Sequence, residues 1–164
     1  HETPTNGYIF HQKDKLRIHK DKIQKLNIKN HPDLKKLIQG KDIKINNKTL
    51  KSKDYTYLQK GKKVAFIFDT KVCANAKKLA ENSDLAIFES TFLDNSGQGE
   101  KLAKEYNHLT AKQAAELAKQ GKVKQAILTH ISQRYEFKEK LILDEAKKTF
   151  PKIQIAKDLM KIEV

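Results

Sequence analysis

The chain has 164 residues, a single cysteine and a formal net charge of +14. This length allows one domain of ordinary size with a real core; no apolar run is long enough for a membrane helix, and no basic-then-apolar leader opens the chain. Cys73 alone excludes an internal disulfide and a four-thiolate zinc site, which suits a reducing cytoplasm. Because the chain opens on His1 rather than Met, its true start is expected upstream. The charge is unevenly placed: residues 13–63 hold 17 Lys/Arg against 5 Asp/Glu, whereas the rest holds 17 against 15. A concentrated positive segment suits a binder of phosphate backbones; the alternative is a solvated, lysine-rich surface.

In chain order, residues 1–12 read as a loop punctuated by Pro4 and Gly7, then a short strand at Tyr8-Ile9-Phe10. Residues 13–53 are rich in Lys and Asn. Ile18, Ile23, Leu26 and Ile28 form one helical stripe, and Leu34, Leu37 and Ile38 a second, started at Pro32-Asp33 and capped at Gly40. Ile43 to Leu50 reads as a hairpin turning at Asn46-Asn47, and Tyr55 and Tyr57 as one face of a further strand. This segment is expected to be a small basic excursion with two short helices, packed poorly or mobile when alone.

The remainder is a compact α/β pattern. Apolar strands are expected at 64–68, 85–88 and 125–129, with helices near 73–82, from Thr110 to Gly121 and near 137–149. Thr110-Ala111-Lys112-Gln113 has capping-box form. A polar loop carries Gly97 and Gly99, Pro151 terminates the last helix, and two final strands are expected at Ile153–Ala156 and Met160–Val164.

Asp69 and His130 each follow an apolar strand, where a rigid backbone holds side chains at the sheet rim, the usual place for ligand and catalytic groups in open α/β sheets. With Glu89 and His108 they could bind zinc in a hydrolase. Each also has a bland reading: a turn residue, a surface acid, or a satisfied polar group.

Asp69-Thr70, Cys73, Phe88-Glu89-Ser90-Thr91-Phe92, Glu105-Tyr106-Asn107-His108-Leu109-Thr110-Ala111 and Leu128-Thr129-His130-Ile131-Ser132-Gln133-Arg134-Tyr135 follow one another in an order that resembles ribonuclease Z. That family is the tRNA 3′-processing endonuclease of the metallo-β-lactamase superfamily. The resemblance covers essentially the whole chain, and His1-x-x-Pro4-x-x-Gly7-Tyr8 is similar to the family segment carrying a metal-binding His.

The resemblance implies an α/β fold: the carboxyl-terminal half of an αββα sandwich, made of residues 1–12 and 54–164, with residues 13–53 as an inserted basic arm that grips tRNA. It implies a complete site with two zinc ions, in which Asp69 bridges both, His130 binds one and His1 the other. Glu89 and His108 resemble the pair beside the scissile phosphate. Lys20, Lys22, Lys25, Lys35 and Lys36 of the arm, and Arg134, would contact RNA. The implied substrate is precursor tRNA, and a homodimer is plausible.

Departures accompany the match. The family's His-x-His-x-Asp-His motif is absent from this chain, Phe88 and Phe68 stand where His and Gly are usual, and the arm lacks a Gly-Pro-rich stretch. With at most three ligands for two metals, the chain is expected to be catalytically incomplete without an amino-terminal half. The alternatives are a non-catalytic RNA-binding module of the same fold and another phosphodiesterase of the superfamily.

Overall fold

The computed structural model describes residues 3–94 and 97–164, and the chain divides into two compact units. The first comprises His1–His11 with Lys62–Val164; the second is Gln12–Gly61. His1, the proposed ligand of the second zinc, lies outside the described residues.

The chain enters the first unit as β1 (Tyr8–His11) and then builds the second unit from β2 (Lys15–Ile18), α1 (Lys20–Gln24), α2 (Leu34–Leu37), β3 (Ile43–Ile45), β4 (Lys48–Leu50), α3 (Ser52–Tyr55) and β5 (Thr56–Gln59). The expected stripe from Ile18 to Ile28 is not one helix. Ile18 ends β2, which pairs antiparallel with β5, and only Lys20–Gln24 is helical. Tyr55 closes α3, so it does not share a strand with Tyr57. The Asn46-Asn47 turn is as expected: both residues take left-handed backbone, φ 49° and 60°, which a two-residue hairpin loop requires. This unit has its own small core of Ile23, Leu37, Ile43, Ile45 and Leu50, all buried. It is therefore packed, not the loose excursion the composition suggested.

The chain returns to the first unit through β6 (Lys63–Ile67), α4 (Ala74–Ala80), β7 (Leu85–Glu89), α5 (Gln98–Tyr106), α6 (Ala111–Gln120), β8 (Gln125–Thr129), α7 (Glu139–Thr149) and β9 (Ile153–Ile155). The sheet order is β1-β6-β7-β8-β9; β1 is antiparallel to β6 and the other neighbours are parallel. Alternate residues Ala65, Ile67, Ala86, Phe88, Ala126, Leu128 and Ile153 share one buried cluster with Ala76, Ala80, Ala114, Ala118, Ile142 and Ala146 of the helices. Alanines on the helix side let the layers approach closely, so the larger strand side chains fill the gap.

Two expected features differ. Residues 98–106 form α5 rather than a loop; its buried residues are the small Gly99 and Ala103. A Cβ on Gly99 would lie 1.7 Å from the Leu93 carbonyl oxygen, so only glycine fits there. Met160–Val164 is not a strand, and Leu159 just before it takes left-handed backbone at φ 60°.

At the opposite end of the sheet from the carboxyl termini of β6, β7 and β8, Asp84 accepts hydrogen bonds from the Lys63 backbone N–H (2.8 Å) and Lys124 Nζ (2.7 Å). Desolvation opposes its charge, but those bonds and the nearby Lys62 outweigh it and hold the carboxyl below its ordinary value. A depressed folded-state pKa means stabilisation that is complete above the ordinary carboxylate range and lost as pH falls through the depressed value. Asp84→Asn should therefore lower stability at pH 7 and flatten the acid limb below about pH 4 in denaturant titrations. An unchanged pH profile would contradict this role.

Candidate active site

Parallel strands place their carboxyl ends at one rim, and here three neighbours do so. Asp69 lies just beyond β6, Glu89 ends β7 and His130 follows β8. Asp69 and His130 both adopt left-handed backbone, φ 44° and 53°. For residues other than glycine this costs on the order of 1 kcal/mol, and such strain gathers where function fixes a side chain.

His108 comes from a different element. α5 ends with Asn107 in left-handed conformation, and the His108 N–H donates back to the Ala103 carbonyl at 2.8 Å. Two residues on, Thr110 caps α6 with the expected capping box to Gln113. Between these caps the backbone is tied to the strand-end loop: Phe92 N–H donates to the Leu109 carbonyl (3.2 Å), and Ala111 N–H to that of Phe92 (2.9 Å).

The Glu89 carboxylate is fully buried and sits at the centre. Oε1 accepts from the Thr70 backbone N–H at 2.8 Å and lies 2.9 Å from His108 Nδ1. Oε2 accepts from the Thr91 hydroxyl at 2.8 Å. The same hydroxyl oxygen is 2.9 Å from His130 Nδ1. Glu89 thus reaches the surface of the site only through side chains it holds. The rings of His108 and His130 lie 5.2 Å apart with 35° between their planes.

Among the described residues, Asp69, His108 and His130 form a cluster able to hold a metal, with one ligand atom from each within 4.8 Å of the others. His130 Nε2 is 3.6 Å from Asp69 Oδ1. Two ligands about 2.1 Å from a tetrahedral metal stand roughly 3.4 Å apart, so this pair has the right separation. The donor set, a carboxylate with imidazoles oriented through their other nitrogens, fits a divalent cation of the zinc type.

Arg134 is exposed, its guanidinium carbon 5.1 Å from the centre of the Phe92 ring, and its Nε donates to Ser132 Oγ at 3.2 Å. Phe92 in turn meets His108 edge-on, ring centres 6.3 Å apart. Arg134, expected from sequence to contact RNA, is thereby held near His108 through Phe92. The arm residues Lys20, Lys22, Lys25, Lys35 and Lys36 are exposed in the second unit. Thr70 and Thr91 had no role in the sequence reading, although both lie in the segments that carry the resemblance.

The family model described as beta-lactamase superfamily domain matches residues 44–131, more than half of the chain. The chain belongs to the beta-lactamase superfamily. Curated relatives include two proteins named Ribonuclease Z. The one from Saccharolobus solfataricus is 35% identical over 164 residues, covering 100% of this chain and 54% of the relative. The one from Sulfurisphaera tokodaii is 36% identical over 159 residues, covering 97% and 52%. The chain spans about half the length of the curated relatives it matches. A crystal structure of the metallo-beta-lactamase fold protein YhfI from Bacillus subtilis superposes with TM-score 0.50 at 20% identity, over 84% of this chain and 58% of that one. At that identity the likeness concerns fold, and the mixed sheet flanked by helices agrees with the α/β metallo-β-lactamase fragment expected from sequence.

Proposed function

We propose that the chain is the carboxyl-terminal half of a zinc-dependent tRNA 3′-processing endoribonuclease, which removes the 3′ trailer of precursor tRNA once an amino-terminal half supplies the His-x-His-x-Asp-His ligands. The observation that carries this reading is the clustering of Asp69, His108 and His130 at one rim, with both imidazoles tied to the buried Glu89 carboxylate, in a chain similar along its length to proteins named Ribonuclease Z. In the complete site, Asp69 would be the ligand shared by two zinc ions, with His130 and His1 as further ligands. Bound there, the metal would supply positive charge to offset the developing charge of phosphodiester hydrolysis and to ease deprotonation of water.

The chain's own groups do the rest. Asp69 and His130 present their ligand atoms from strand ends that cannot shift independently of the sheet. His108 is held through Nδ1 by Glu89, and as the imidazolium it would give the proton of its outer nitrogen to the departing O3′. Arg134 offers a fixed guanidinium to a neighbouring phosphate. The arm, residues 13–53, binds tRNA through its backbone and so by shape. The single cysteine suits a cytoplasmic setting, and a homodimer is the assembly this reading favours. Among the described residues no helix is long and apolar enough to cross a membrane.

The test is complementation. The chain is mixed with an amino-terminal segment bearing the missing motif, zinc is added, and a precursor tRNA with a 3′ trailer is assayed. Cleavage at the trailer boundary is expected; a folded, zinc-loaded mixture that leaves the precursor intact would refute the proposal. The arm makes a separate prediction. Lys36 is paired with Asp33 at 2.6 Å and Lys22 Nζ donates to the Asp54 carbonyl, whereas among the described residues Lys20, Lys25 and Lys35 form no ion pair. Changing those three to Gln should weaken tRNA binding and reduce the log–log salt slope by about 2–3, with cleavage chemistry under saturation preserved. An unaltered salt slope would remove the arm from the RNA interface.

A non-catalytic RNA-binding module is the second reading, favoured by the presence of only three ligand groups in the described cluster. Stoichiometric zinc in the purified two-part complex would rule it out.

A further inference from the structure

We propose that Thr91 is a positioning residue: its hydroxyl fixes the tautomer of His130 and so turns the lone pair of Nε2 toward Asp69. The inference rests on the reading of Asp69 and His130 as ligands, and it concerns a residue to which neither the resemblance nor the strand-end argument gives a role.

The argument is one of proton counting. A carboxylate only accepts, and a threonine hydroxyl has one proton to give. Thr91 Oγ1 is 2.8 Å from Glu89 Oε2, so its proton is committed there. The same oxygen is 2.9 Å from His130 Nδ1, and with its proton committed it can only accept. Nδ1 must therefore carry the imidazole proton. In the neutral ring Nε2 then has the lone pair, and it faces Asp69 Oδ1 across 3.6 Å. Two acceptors held that close repel each other unless a cation lies between them, as ligands around a metal would.

Packing does not do this job. The His130 side chain is 50% exposed, whereas that of His108 is 13% exposed and bonded to Glu89 directly. An unrestrained neutral imidazole favours the proton on Nε2, the tautomer that cannot coordinate through that atom. Thr91 itself is buried and stands two residues beyond Glu89, so its hydroxyl is held where it can bridge. One buried carboxylate thus orients both imidazoles, one by direct contact and the other through a hydroxyl. Partners of this kind commonly change metal affinity by about 10–100-fold.

The experiment reads the tautomer first and the metal second. Long-range proton–nitrogen NMR spectra of the metal-free chain, recorded at about pH 8.5, well above the ordinary imidazole range, should show His130 protonated on Nδ1. Thr91→Val, nearly isosteric but without the hydroxyl, should move His130 toward the Nε2-protonated form and weaken zinc affinity about 10–100-fold. Thr91→Ser should restore both. A wild-type His130 protonated on Nε2 overturns the proposal without any variant, which covers the case of a Thr91→Val chain that does not fold. So does a folded Thr91→Val chain with an unchanged tautomer, or equal loss of affinity in the Ser and Val variants. If the tautomer responds as stated but the wild-type chain with its amino-terminal partner takes up no zinc, the positioning role stands and the metal reading fails.

Discussion

Replacing Asp69 by Ala abolishes cleavage by the reconstituted enzyme in the expected outcome, a loss on the order of 10³-fold or more in kcat/KM. Metal ions at such sites contribute several kcal/mol of charge stabilisation, and about 4 kcal/mol corresponds to three orders of magnitude. The fold should survive, because the Asp69 side chain is 44% exposed and belongs to neither core cluster. Its backbone lies in the left-handed region at φ 44°, which Asp and Asn tolerate better than Ala. Asp69→Asn is therefore the informative companion, since it keeps the local backbone preference and removes the charge. Both variants should lose bound zinc and single-turnover cleavage of precursor tRNA, with the Asn variant near parental stability. Activity equal to the parent in either variant would remove Asp69 from the site.

The second large effect lies one layer deeper. Glu89→Gln keeps the volume but replaces one acceptor oxygen with an NH₂ group. The parent carboxylate takes the Thr70 N–H and His108 Nδ1 on Oε1 and the Thr91 hydroxyl on Oε2, so the amide either aims its NH₂ at the Thr70 N–H or forces the Thr91 hydroxyl to turn from donor to acceptor. Hydrogen bonds to a charged group contribute about 1.5–3 kcal/mol each, and leaving a buried group unmatched costs about 1–3 kcal/mol. A destabilisation of about 2–4 kcal/mol is expected, visible as a lower denaturant midpoint at unchanged slope. Cleavage should fall by about 10²–10⁴-fold as His108 loses its orientation. A variant within about 0.5 kcal/mol of the parent would show that Glu89 is not the hub.

Much of this was legible in the chain itself. The strands ending before Asp69, at Glu89 and before His130 are short apolar runs bounded by polar residues, a pattern that survives any packing detail. The Thr110 capping box and the Asn46-Asn47 turn were equally readable, because both depend on residues adjacent in sequence. What failed has physical causes. The Ile18–Ile28 stripe has helical spacing, but Ile18 meets its antiparallel partner Thr56, 38 positions on, and strand pairing overrode the local pattern. α5 buries only Gly99 and Ala103, so no run of large apolar residues marks it in the sequence. Met160–Val164 alternates like a strand yet joins no sheet among the described residues.

The sequence alone determined the chemistry on offer: which side chains stand at strand ends, where positive charge concentrates, and which family the ordered segments resemble. Only the tertiary structure decided how those side chains meet. Parallel pairing of β6, β7 and β8 brings residues 69, 89 and 130 to one rim, and a helix cap swings His108 over the same spot. The hydroxyl that links Glu89 to His130 was invisible beforehand, because a threonine's single proton acquires a direction only once two partners lie within hydrogen-bonding distance on opposite sides of it.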